Sequence, residues 1–142
     1  MAVPAFSPQW AKLYKEEINS SESYRQAAKG WKWSVGLVVE AEPKKNFPEA
    51  KGVVLDLLEG KARNVKVADP EDARACDFVI TASYSSWKDV AQKKLDTIRG
   101  LMFRKLKLKG DLATILRYTK AAQELTEATT RIPVSWPDEK GR

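Results

Sequence analysis

The hydrophobic period of the chain changes repeatedly, and each change marks an element. Trp10, Leu13, Tyr14 and Ile18 recur at helical spacing behind Ser7-Pro8, a cap followed by proline at the first helical position. Asn19-Ser20-Ser21 breaks that helix and caps a second, which runs through Lys29 and stops at Gly30. From Trp31 the period becomes two. Trp31, Trp33, Val35, Leu37 and Val39 fall on one face of a long strand, with Lys32, Ser34, Gly36 and Glu40 on the other. Residues 52–58 read as a second strand, with Val53, Leu55 and Leu57 opposite Val54, Asp56 and Leu58. Glu59-Gly60-Lys61 turns the chain into a third strand over 62–67.

Asp69-Pro70-Glu71-Asp72 then places a cap, a proline and two acids where one or two helical turns begin. Residues 77–83 form a fourth strand. Ser86-Trp87-Lys88-Asp89 has the form of a capping box, opening a helix whose Trp87, Val90, Ala91 and Leu95 share a face. Asp96 caps a short helix through Met102. Over 104–109, Leu106 and Leu108 alternate with Lys105, Lys107 and Lys109, so the fifth strand has one apolar face and one wet face. After Gly110-Asp111 a final helix runs to about Ala128, with Leu112, Ile115, Leu116 and Thr119 inward.

This order predicts an α+β fold: a five-stranded, mostly antiparallel sheet with helices packed on one face. It reads as one domain over 1–142, with N-terminal helices in 7–29, a core in 30–128 and a tail in 129–142 that holds Pro133, Trp136 and Pro137. The succession of the Trp87 helix, the apolar turn at 98–103, the strand KLKLKGD at 105–111 and the closing helix resembles the sterol-carrier-protein-2-like (SCP2) lipid-binding domain. The strand at 52–57 and its basic return strand fit the same pattern, so the resemblance spans roughly residues 30–125. Such sequences often carry glycine before the Lys-Leu-Lys strand, where this chain has Arg104. The resemblance implies an apolar tunnel between sheet and helices. It also implies a non-catalytic role, the binding and carriage of a fatty acid, acyl-CoA or other lipid.

Composition narrows the alternatives. The chain has 142 residues, 43% of them apolar, enough for a core of ordinary size without staples. It contains no histidine, which removes the commonest general base and metal ligand, and its single cysteine, Cys76, permits no internal disulfide. Neither a nucleophile elbow nor a phosphate-cradling glycine loop is present, so no enzyme, no metal and no cofactor are expected. Asp56, Asp89 and Asp96 read as exposed sheet, cap and turn carboxylates. With no basic leader and no long apolar run, the expected location is cytoplasmic.

The net charge of +6 is concentrated. Residues 99–120 carry Arg99, Arg104, Lys105, Lys107, Lys109, Arg117 and Lys120 against Asp111 alone. Lysines on a wet sheet face keep it soluble; a basic patch also suits an acidic ligand head or transient membrane-surface contact. Nucleic acid is not the expected partner, because the tryptophans lie on the core face and do not interleave with the cations. The expected apolar pocket comprises Trp33, Leu37, Leu55, Phe78, Ile80, Trp87, Met102, Phe103, Leu106, Leu108, Ile115 and Leu116, with Arg104 and Arg117 as candidates for the ligand head. The same side chains also suit a solid core. The alternative reading is a partner-binding or homodimerising module without cargo.

Overall fold

The computed structural model describes residues 2–139. The elements are β1 (Val3–Pro4), α1 (Pro8–Asn19), α2 (Glu22–Ala27), β2 (Val35–Glu40), β3 (Lys51–Leu58), β4 (Lys61–Ala68), α3 (Pro70–Arg74) and β5 (Phe78–Ser83). They continue with α4 (Tyr84–Ala91), α5 (Thr97–Met102), β6 (Lys107–Lys109), α6 (Leu112–Arg117), α7 (Thr119–Glu127) and β7 (Val134–Ser135). Five strands form one sheet in the order β4-β3-β2-β5-β6. Only β2 and β5 run parallel; the other neighbours are antiparallel. The β3–β4 hairpin turns through Glu59 and Gly60, both at positive φ (51° and 82°), which matches the twist of the two strands.

The sheet's inner face carries Val35, Leu37, Val39, Val53, Leu55, Leu57, Phe78 and Ile80 into one apolar core under the helices. The short α3 lies on the opposite face, where Ala73 meets Val38 and Val79. Two glycines permit its approach. A Cβ on Gly36 would stand 2.0 Å from the Ala73 carbonyl oxygen, and one on Gly52 2.7 Å from that of Asp69.

The second helix ends at Ala27, two residues short of Lys29, and four further boundaries differ from the periodic reading. The first strand begins at Val35, not Trp31. The Trp31 carbonyl accepts from the Glu59 amide, and its indole Nε1 donates to the Trp33 carbonyl at 2.7 Å, so this segment coils at the sheet's end. The Trp87 helix starts at Tyr84, capped by Ser83 Oγ, which accepts from the Ser86 amide. The fifth strand is reduced to Lys107–Lys109, because the Lys105 and Leu106 amides both donate to the Gly100 carbonyl at the end of α5. The closing helix is broken at Tyr118 (φ −113°, ψ 30°) into α6 and α7.

The caps at Ser7, Ser21 and Asp96 stand as expected. Asn19 bridges the end of α1 to β4, donating to the Ala62 carbonyl and accepting from its amide. The tail docks. β7 pairs with β1, and Trp136 is buried edge-on against Phe6 and Tyr84. Asp138 takes hydrogen bonds from Tyr84 and Lys88, and Lys88 also reaches Glu139 at 2.6 Å. Residue 1 and residues 140–142 of the expected domain lie outside the described residues.

Candidate functional site

Between sheet and helices lies a cavity of about 40 Å³. Its floor is inner-face side chains: Val35 and Leu37 of β2, Leu57 of β3, Phe78 and Ile80 of β5, and Leu108 of β6. Tyr14 of α1, Tyr24 of α2, Ile115 of α6, Tyr118, and Ala121, Ala122, Leu125 and Thr126 of α7 form the roof. The two alanines explain why space remains there, since longer side chains at those α7 positions would reach the floor. A water needs roughly 10–15 Å³ on this scale, so the space suits a few water-sized groups and no long alkyl chain.

Two of the polar groups on the wall, the Tyr14 and Thr126 hydroxyls, are already engaged. Tyr14 Oη donates to the Leu125 carbonyl at 2.8 Å, tying α1 to α7, and burial pushes both the Tyr14 and Tyr24 phenols above their usual range. The Thr126 hydroxyl turns back on the Ala122 and Gln123 carbonyls, which leaves Thr97 to donate to it. Beyond this threonine pair lies a separate, polar cleft bounded by Lys93, Asp96, Gln123 and Glu127. The other end is aromatic. Trp31 sits edge-on to Tyr118 and Trp33 at 5.1 and 5.0 Å, and 5.1 Å from Phe78. Tyr118 can close on this cluster because Gly30 faces it: a Cβ there would stand 2.7 Å from the Tyr118 hydroxyl. The break between α6 and α7 therefore aims one ring at the cavity end.

Of the expected pocket residues, Leu37, Phe78, Ile80, Leu108 and Ile115 meet on this wall. Trp33 backs the aromatic end without lining the space. Leu55 is solid core under the helices, and Leu106 is buried against Gly100. Trp87 is buried beside a second, one-water-sized space next to Trp10 and donates its Nε1 to the Val38 carbonyl at 2.9 Å. Trp10 Nε1, at that second space, is the one buried side-chain polar atom without a partner among the described residues. Leu37 lies between the two spaces.

Four expected inward residues face solvent instead: Met102, Phe103, Leu112 and Leu116. The broken helix is the cause for α6. In six residues it can turn only a narrow side inward, and Ile115 occupies it. Met102 and Phe103 end α5, where the chain reverses through Arg104 at φ 59°. The glycine-like backbone is thus kept at position 104 although the residue is arginine. Arg104 and Arg117 are exposed and neither lines the cavity. Tyr14, Tyr24, Trp31, Tyr118, Ala121 and Leu125 line it and were not singled out from the sequence. For Tyr14 the available signal was its place on the apolar stripe of α1; no local pattern marks Tyr24 or Tyr118.

The SCP-2 sterol transfer family model matches residues 12–123, an interval that contains every cavity-lining residue except Leu125 and Thr126. A crystal structure of sterol carrier protein 2 superposes with a TM-score of 0.83 at 38% identity, covering 90% of this chain and 98% of that one. The solution structure of a conserved hypothetical protein from Thermus thermophilus, described as possibly a sterol carrier protein, gives 0.82 at 36%, covering 95% and 94%. Sterol carrier protein domain 2 of Helicoverpa armigera shares the fold at 18% identity with a TM-score of 0.59, covering 93% and 97%. No curated protein sequence matches the chain. Among the described residues, no helix is long and apolar enough to cross a membrane. From the fold, the apolar cavity and these matches together, the chain belongs to the SCP-2 sterol transfer family of lipid-binding domains.

Proposed function

We propose that the protein reversibly binds and carries one apolar ligand, a fatty acid, acyl-CoA or another lipid, in the cavity between sheet and helices, with no chemistry performed on it. The observation that carries this reading is a wall almost wholly apolar, on which the Tyr14 and Thr126 hydroxyls are already bonded within the protein and offer little to a polar guest. Burial of a twelve-carbon chain supplies about 10 kcal/mol gross, at about 0.8 kcal/mol per methylene. That gain must also open the roof, since the closed cavity is far too small for such a chain. In this reading the roof opens at α6. It is one and a half turns long, is joined to α7 at a non-helical residue and holds the core through Ile115.

Leu37, Phe78, Ile80, Leu108 and Ile115 contact the cargo first, and Arg104 and Arg117 on the flank steer an acidic head. Organic extraction of freshly purified protein followed by mass spectrometry should release close to one lipid per chain, or the stripped protein should bind dodecanoate saturably. A protein that yields no specific lipid and takes up no dodecanoate refutes the reading. Unchanged dodecanoate affinity in both Arg104→Glu and Arg117→Glu would remove those two residues alone.

A further inference from the structure

Five large apolar side chains stand in solvent among the described residues, and four of them fall between positions 102 and 116. Met102 is 71% exposed, Phe103 68%, Leu112 57% and Leu116 62%; the fifth, Leu58, is 36% exposed on β3. Leu112 and Leu116 are four apart, so they form one row along the outer side of α6 while Ile115 points to the cavity. Met102 and Phe103 sit where α5 hands over to the turn before β6. A soluble surface rarely spends this much apolar area in one segment without a partner.

The same segment is strongly basic. Arg104, Lys105, Lys107, Lys109, Arg117 and Lys120 are all exposed, Arg99 stands beside them, and Asp111 is the sole acid within 99–120. Among the described residues only Lys120 of these seven forms a salt bridge, to Glu124. The partner must therefore offer negative charge and apolar depth together. Nucleic acid supplies the charge and leaves the four apolar side chains unmatched. A second copy of this chain would set the same cations against one another.

We propose that this segment, through the end of α5, the turn at Arg104-Lys105 and the outer side of α6, docks on an anionic lipid bilayer; Lys107 and Lys109 turn to the α3 side of the sheet, where Lys109 donates to the Arg74 carbonyl, and take no part. Arg104, Lys105 and Arg117 meet the head groups, and Phe103, Met102 and the two leucines enter the boundary with the acyl chains. The inner side of this segment is cavity wall, through Leu108 and Ile115. Docking thus sets that wall against a lipid reservoir. The docking itself does not depend on the cargo reading; only its use in loading does.

The test is sedimentation of the full chain with vesicles of phosphatidylcholine alone and with about 30 mol% phosphatidylserine added, at low and high salt. Binding should be at least about tenfold tighter to the anionic vesicles and should weaken at high salt. Met102→Ser with Phe103→Ser should lose at least about tenfold, Lys105→Glu should weaken the dependence on phosphatidylserine, and Leu58→Ser should bind like the parent. All these positions are exposed, so unchanged melting temperatures are expected and exclude misfolding as the cause. Equal binding to both vesicle types overturns the proposal. So does full retention by the Met102/Phe103 double variant, or a dimer in sedimentation velocity that this variant abolishes. Dodecanoate titration without vesicles, run on the same variants, separates a failure of docking from a failure of cargo binding.

Discussion

Ala121→Leu distinguishes a ligand cavity from a solid core by the sign of its effect. Ala121 is buried on α7 and lines the cavity, so added carbons enter the space and not the solvent. Leucine adds three carbons, and the cavity of about 40 Å³ has room for about three water-sized groups. Burying three methylene equivalents contributes about 2.4 kcal/mol at about 0.8 each. Fixing the leucine rotamer costs about 0.5–1 kcal/mol, leaving a net stabilisation of about 1.5 kcal/mol. For a domain of this size that corresponds to a melting-temperature rise of roughly 3–6 °C. The same side chain fills space that the cargo needs, so dodecanoate affinity measured by calorimetry should fall by more than about 30-fold, about 2 kcal/mol. In a solid core the substitution would overpack and destabilise by about 1–3 kcal/mol. A melting temperature that drops, with dodecanoate binding intact, refutes the argument.

Other outcomes follow from named contacts. Arg104 holds a left-handed backbone with its side chain in solvent, so Arg104→Gly should stabilise by about 0.5–1 kcal/mol in urea unfolding. No gain would mean that the side chain compensates the strain. Gly36→Ala drives a Cβ into the Ala73 carbonyl and must lift α3 from the sheet; a loss of at least about 3 kcal/mol is expected, and a thermal melt close to the parent's contradicts the close packing. The tail latch should release in acid. Partial burial alone would raise the Asp138 carboxyl, yet the bonds from Tyr84 and Lys88 outweigh it and hold it below its usual value; the Lys88 bond likewise lowers Glu139. Burial alone would depress Lys88, but the bonds to Glu139 and Asp138 hold it above its usual value. The lowered carboxylates stabilise above their unfolded values near pH 4 and lose this as pH falls through their folded values. The raised Lys88 stabilises below about pH 10.4 and loses this only as pH rises through its folded value. Intrinsic-rate-corrected amide exchange at Val134 and Ser135 should therefore accelerate below about pH 4, and a flat profile down to pH 3 would exclude the latch.

Much of the site was legible because strand alternation is a local property. Leu37, Phe78, Ile80 and Leu108 follow from period two alone, and the sheet needs no distant information to turn them to one side. The α6 residues were misplaced for the opposite reason. Leu112, Ile115, Leu116 and Thr119 keep perfect helical spacing, so nothing local reveals that Tyr118 leaves the helix to pack on Gly30 and Trp31. Trp87 read as pocket wall because its face was right; which space that face meets depended on α4's seat over Val38.

From the chain alone came the order of elements, the inner face of each strand, the caps at Ser7, Ser21 and Asp96, and a basic segment without histidine chemistry beside it. These depend on covalent geometry, spacing and charge, which act within a few residues. Only the packed molecule decided that α3 crosses to the other face, that the helix breaks at Tyr118, and that Ala121 and Ala122 leave space above Leu37. A cavity is a volume that several separate segments fail to fill together, and no local pattern carries the sum of their shapes.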